Sequence, residues 1–178
     1  MRNQGILVTS VLLAFNSLGV SQAMDQITQP IHLSTRFDFE IDAPFSTTAL
    51  LFGPESERTW AGEHWKPIFF YPQPGKDTEG AVFTVARGVH TSIWVNTVYD
   101  VAGGHMQYVA IVPQVVATVV EVKLTRLDAS KTRVDVAYTR TALDPAANDD
   151  VRDLARDDAV SGPEWGKAIR ASLKRMQV

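Results

Sequence analysis

The sequence predicts an α+β domain in which a curved antiparallel sheet grips one C-terminal helix, and two observations predict it. From Gly80 to Leu143 apolar and polar residues alternate almost without a break and β-branched side chains are frequent, the period-two pattern of half-buried strands. From Ser161 to Met176 the period changes: Trp165, Ala168, Ile169, Ser172, Leu173 and Met176 recur at offsets of three and four, the stripe of an amphipathic helix. A bent sheet closed by a single helix tends to leave an apolar hollow between them, and hollows of that kind hold ligands. With 178 residues, 45% hydrophobic and 21% charged, the chain suits one globular core. Its net charge of -3 offers no basic face to a phosphate backbone, which excludes nucleic acid as a main partner.

The N-terminal stretch has the features of an export signal. Arg2 supplies the positive end, an apolar run extends from Ile6 to Val20, and Ser21-Gln22-Ala23 offers small residues where signal peptidase cuts. The run is broken by Ser10, Asn16 and Ser17 and is shorter than the roughly 20 residues of a spanning helix, which argues against an uncleaved anchor. Residues 1–23 are therefore expected to be removed, leaving a periplasmic or secreted protein with no stable membrane insertion. The chain has no cysteine, so lipid attachment at the cut is excluded and the exported fold must hold by packing alone. Residues 24–35, polar and interrupted by Pro30, read as a flexible segment before a domain at 36–178.

Arg36 to Asp42 alternates, putting Phe37, Phe39 and Ile41 on one face and acids on the other, a half-buried first strand. Ala43-Pro44 stops it. Phe45 to Phe52 has the spacing of one or two helical turns ended by Gly53-Pro54, and a second short helix is expected within Glu55 to Glu63. Ile68 to Tyr71, aromatic and flanked by prolines, suits an edge or early strand, and 72–80 is a loop. Strands follow at Ala81 to Ala86, Thr91 to Asp100, His105 to Val112, Val115 to Leu127 and Thr132 to Leu143. Gly103-Gly104 supplies the positive φ of a tight hairpin between the second and third of these.

In the last hairpin the even-numbered residues carry the apolar face: Thr118, Val120, Val122 and Leu124 on one strand, Val134, Val136, Tyr138 and Arg140 on the other. Opposed residues share a face, so paired numbers sum to an even total and the loop is odd; three residues are expected. Either three-residue register sets Arg140 opposite Thr118 or Val120. The aspartate-rich stretch from Asn148 to Asp158 reads as a solvated helical turn and lacks the glycine and terminal glutamate of a calcium loop. Ser161-Gly162-Pro163-Glu164 fits a capping box with proline in the first turn of the final helix.

Chemistry-bearing motifs are missing from the sequence. The histidines, His32, His64, His90 and His105, have no metal-binding spacing, so neither a metal nor a cofactor is expected. There is no Gly-x-Ser-x-Gly elbow and no glycine-rich phosphate loop. Arg140 stands out, because an inward guanidinium is costly unless an anion, carboxylate or carbonyl meets it. It either anchors a ligand or sits at the mouth of the sheet with its head in water. Tyr138 and Tyr108 combine a ring with a hydroxyl that suits a ligand carbonyl and equally suits the core. Trp94 and Asn96 share a strand face, near Ile111 and Val109 if paired numbers sum to an odd total; Ile93, Val95 and Tyr99 make the opposite face just as apolar. Trp60, Trp65 and Trp165 are expected to close the core. The candidate ligand-binding residues are thus Arg140, Tyr138, Tyr108, Thr118, Trp94 and Asn96.

Ile41-Asp42-Ala43-Pro44, Trp60, Trp65-Lys66-Pro67, Gly80-Ala81-Val82-Phe83, and Trp94 with Tyr99-Asp100, in this order, resemble the helix-grip superfamily of START-like and polyketide cyclase-like (SRPBCC) proteins, over Phe37 to Met176. The resemblance implies a sheet of about seven strands wrapped around the last helix, two short helices after strand 1, and a ligand cavity between. It carries over no catalytic residue. The expectation is an exported protein binding a small apolar molecule or lipid. The alternatives are a cyclase or dehydratase using the same cavity, with Arg140, Tyr138 or a pocket histidine assisting proton transfer, and an interaction module with a filled core.

Overall fold

A computed structural model describes residues 29–176. The export signal expected over residues 1–23 and the start of the segment after it lie outside these residues. The chain runs β1 (His32–Ile41), α1 (Phe45–Ala49), a 3-10 turn (Ser56–Thr59), then β2 (Ile68–Tyr71), β3 (Val82–Arg87) and β4 (His90–Asp100). It continues through β5 (His105–Val112), β6 (Val116–Arg126), β7 (Thr132–Ala142), a 3-10 turn (Pro145–Ala147), α2 (Asn148–Ala159) and α3 (Gly162–Met176). The seven strands form one antiparallel sheet in the order β1-β7-β6-β5-β4-β3-β2, so only β1 leaves its sequence neighbour to close on β7.

β1 begins four residues before the alternation predicts. Leu33 packs against Val116, Ala142 and Val151, and the Ile31 N–H donates to Asn148 Oδ1 at 2.9 Å, which ties down the latter part of a stretch read as tether. Inward, Phe39 and Ile41 are buried as expected. The β6–β7 pairing sets Thr118 opposite Arg140, with Leu127 N–H donating to Lys131 O across Asp128-Ala129-Ser130, the odd, three-residue loop expected.

The β4–β5 hairpin departs from expectation. Near the turn Tyr99 pairs with Met106, an odd sum, but a bulge between Asn96 and Val98 changes the parity. Trp94 therefore faces Ala110 and Asn96 faces Tyr108, not Ile111 and Val109. The extra residue puts Tyr99 on the same inner side as Trp94 and Asn96, and leaves Ile93 and Val95 on the outer one.

α3 lies against β1 with Ile169 fully buried and Leu173 nearly so. Gly162 and Gly166 permit this approach: a Cβ at Gly162 would stand 3.2 Å from the Asp38 carbonyl, and one at Gly166 3.3 Å from the Phe39 ring. The hydroxyl of Ser161 donates to the Asp157 carbonyl, joining α3 to the end of α2. Asn148 to Asp158, read as a short turn, is a full helix whose Val151 is buried against Val116 and Ala142.

Candidate functional site

The volume between α3 and the sheet is occupied by side chains. Trp165 stands edge-on to Phe37 at 5.4 Å and lies 5.0 Å from the Trp60 ring, and Trp60 meets Phe52 at 5.8 Å. Tyr138 closes the other side of Trp165 at 6.5 Å. The open apolar hollow expected there is thus filled by aromatic rings. Two open, shallow concavities lie outside. One, of about 280 Å³, crosses charged side chains of the outer sheet face, Arg36, Asp38, Glu121, Lys123 and Asp135. The other, of about 520 Å³, runs between the 56–63 segment and α3, bounded by Arg58, Gly62, Ala168, Ala171 and Arg175 and floored by Trp60.

Two polar groups interrupt the apolar interior. The first joins Arg140, Thr118 and Tyr138. Arg140 grips Asp158 with two bonds, Nε to Oδ2 at 2.6 Å and Nη2 to Oδ1 at 2.8 Å, while Nη1 donates to Thr118 Oγ1 at 3.0 Å. Its guanidinium carbon stands 4.8 Å from the Tyr138 ring centroid. The ion pair is 13% and 10% exposed, so the guanidinium is neither free for a ligand nor extended into water. The anion that Arg140 demands comes from this chain's own α2, from a run of acids that reads as a solvated face.

The second group gathers Trp94, Asn96 and Tyr108 on the β4–β5 wall. Trp94 stands edge-on to Tyr108 at 6.3 Å, and Asn96 is directly opposite Tyr108. Asn96 is fully buried; its Nδ2 donates to Thr78 O at 2.9 Å, and its Oδ1 has no partner among the described residues. The Tyr108 hydroxyl donates to Glu57 Oε1 at 2.9 Å, and that same oxygen accepts from Gly53 N–H at 3.3 Å. Glu57 is held inward because Asp77 clamps the turn from outside. Asp77 Oδ1 accepts from Glu55 N–H at 2.7 Å, and Oδ2 accepts from Ser56 N–H at 3.1 Å and Ser56 Oγ at 2.6 Å. Gly53 makes room for the clamp: with φ +142°, a Cβ there would lie 2.5 Å from Asp77 Cγ.

Burial pushes the Glu57 carboxyl up to about 8, with the Asp77 charge adding to the shift and the bonds from Tyr108 and Gly53 opposing it. Burial also raises Tyr108 well above the ordinary phenol range, with Glu57 and Asp77 reinforcing it, and pushes Tyr99 up to about 12. At neutral pH the group is a protonated carboxylic acid hydrogen-bonded to a buried phenol, with the Trp94 ring edge-on to that phenol.

The six candidates thus divide between two places, Trp94, Asn96 and Tyr108 in one and Thr118, Tyr138 and Arg140 in the other. Sequence reasoning missed Glu57, Asp77, Tyr99 and Asp158. The histidines do not join either group; His105 Nε2 meets Glu121 Oε1 at 3.1 Å and His32 Nδ1 meets Thr141 Oγ1 at 2.8 Å. Among the described residues no three His, Asp or Glu side chains converge to hold a metal ion.

A curved seven-stranded antiparallel sheet, short helices after β1 and a C-terminal helix laid against the inner face define the helix-grip fold of START-like and polyketide cyclase-like proteins. Solved structures share it. Norcoclaurine synthase from Thalictrum flavum matches with a TM-score of 0.61, covering 99% of this chain and 100% of its own at 11% identity. The same enzyme in complex with dopamine and hydroxybenzaldehyde also gives 0.61, over 98% of each chain at 11% identity. A protein from Arthrobacter aurescens is 19% identical, with a TM-score of 0.57 over 80% of this chain and 87% of that one. At such identities the likeness is one of fold. No family model matches the sequence, and no curated protein is similar to it in sequence.

Proposed function

We propose that this is an exported protein that binds a small, largely apolar molecule inside the helix grip, against the wall formed by Trp94, Asn96 and Tyr108. One observation carries the reading: Asn96 Oδ1 is a fully buried acceptor with no partner among the described residues. Unpaired buried acceptors are costly and rare, and such a group has a use where a ligand hydroxyl or amine meets it. The 520 Å³ cleft floored by Trp60 supports the reading by offering a way toward the interior. Because rings fill the volume beneath α3, a ligand gains room only by turning Trp60 and Trp165 aside toward that cleft. Dopamine and hydroxybenzaldehyde bound to a protein of the same fold make aromatic molecules with polar substituents reasonable first probes.

The test is native mass spectrometry of the protein as purified, together with displacement of an anilinonaphthalene sulfonate dye by small aromatic alcohols and ketones. Retained or displacing molecules are expected; an empty protein that no such molecule competes for would sink the reading. Export is tested by the mass of the protein recovered from its native host, with a mature start near Met24 expected and an intact residue 1 contradicting it.

A second reading, an interaction module, is favoured by the packed interior and by apolar residues on the outer face. Ile68, Ile93 and Ile111 lie 68%, 44% and 40% exposed, and Thr84 bridges the first two across the ladder. Charging this patch through Ile93→Lys would abolish a partner's binding on that reading and leave dye displacement unchanged on the first.

A further inference from the structure

We propose that Glu57, backed by Tyr108, is a proton-transfer residue that acts on a carbonyl compound, taking the proton from the carbon beside the carbonyl. The proposal rests on a small molecule seating against the β4–β5 wall and adds a reaction to that binding. Glu57 belongs to the Ser56–Thr59 turn, and the residues after it, Arg58, Thr59 and Trp60, line the 520 Å³ cleft, so it sits one layer behind the way in. Both of its hydrogen bonds fall on Oε1, from Tyr108 at 2.9 Å and Gly53 at 3.3 Å, which leaves Oε2 to carry or accept a proton. The titratable groups acting on it are Asp77 from the loop before β3 and Tyr108 of β5, with Tyr99 of β4 beside them, and none supplies a compensating positive charge. A carboxyl held this way is a stronger base than an exposed one once ionised, because burial destabilises its anion.

In the step itself, Glu57 Oε2 bonds to the proton as the C–H bond breaks. The electron pair of that bond becomes the carbon–carbon double bond of an enolate, and the carbonyl oxygen takes the charge. A protonated Glu57 is a weaker acceptor at Oε1, which frees the Tyr108 hydroxyl to donate to the enolate oxygen. Return of the proton to carbon restores both groups, and no co-reactant is consumed. Asn96 Oδ1, unpartnered on the same wall, accepts a hydrogen bond from a hydroxyl elsewhere on the molecule and holds it in place.

The experiment uses the full chain in deuterated buffer with para-hydroxyacetophenone, which has both an acidic methyl beside a carbonyl and a phenolic donor. Binding is read from tryptophan fluorescence and exchange from loss of the methyl proton signal. Wild-type protein is expected to accelerate methyl deuteration by about 100-fold or more over buffer, with a rate that rises with pH and levels above about 8. Glu57→Gln is expected to bind the probe equally well and to exchange it no faster than buffer. Binding without acceleration, or acceleration that survives Glu57→Gln, overturns the assignment while leaving the binding reading intact. A probe that produces no fluorescence change overturns both.

Discussion

Glu57→Gln should make the protein more stable, by an amount that grows with pH. Unfolded, the carboxyl ionises at its ordinary value of 4.5, whereas folded it holds its proton up to about 8. Between these values the native state binds one proton more than the unfolded chain, so stability falls as pH rises. The contribution is fully present below pH 4.5 and lost by about pH 8. At about 1.4 kcal/mol per pH unit, the loss over that window is about 5 kcal/mol, of which about 3 kcal/mol has gone by pH 7. That is a sizeable share of the roughly 5–15 kcal/mol that holds a domain together. Glutamine keeps the acceptor oxygen for Tyr108 and Gly53 and never ionises, so it escapes the penalty. Urea unfolding of both proteins at intervals from pH 4.5 to 9, with the denaturant slope checked for constancy, measures the difference. The two curves should start close together in acid and separate steadily up to about pH 8. Parallel curves would refute the argument, since they would mean that Glu57 ionises freely in the native state.

Arg140→Met removes one member of a buried pair and leaves Asp158 uncompensated at 10% exposure; a loss of about 3–5 kcal/mol is expected in urea unfolding, most of it recovered by adding Asp158→Asn. A single-variant loss below about 1 kcal/mol would show the pair to be wet. Ile169→Ala empties a fully buried site under α3 and should cost about 2–5 kcal/mol, read from the same titration. Gly104→Ala forces a side chain onto a residue at φ +69° with the Phe45 ring 2.7 Å from the new Cβ; a loss of about 2–4 kcal/mol is expected, and an unchanged thermal midpoint would contradict it.

The sequence showed the grip well because its two periodicities are strong and local. Val120, Val122, Val134 and Val136 alternate without a break, so parity required an odd β6–β7 loop and left Arg140 opposite Thr118 or Val120, of which the structure has Thr118. The β4–β5 hairpin has the same kind of alternation, yet Thr97 slips out of the ladder and satisfies its hydroxyl on Gln107 instead, and no residue type there announces it. That one extra residue decided which face carries Tyr99. The polar interior was harder to see. Glu57 stands in a short charged segment, Glu55 to Arg58, indistinguishable by composition from a solvated turn, and it is turned inward only by Asp77, 20 positions later in the chain. Asp158 is one of several aspartates with nothing local to mark it. What selects it is the Arg140 guanidinium, a partner 18 residues away that only the packing of α2 on the sheet brings near. The inward arginine was legible as a demand for an anion, but the supplier was not.

The central claim is that the inner wall of the grip, with its unpaired Asn96 carbonyl, receives the small, largely apolar molecule proposed above. Amide and indole NMR of isotope-labelled protein titrated with para-hydroxyacetophenone tests it most directly. Shifts are predicted at the Asn96 side-chain amide and at the Trp60 and Trp165 indoles, saturating together with a single affinity. Shifts confined to the outer strand residues Ile93 and Ile111, or no shifts at all, would contradict it.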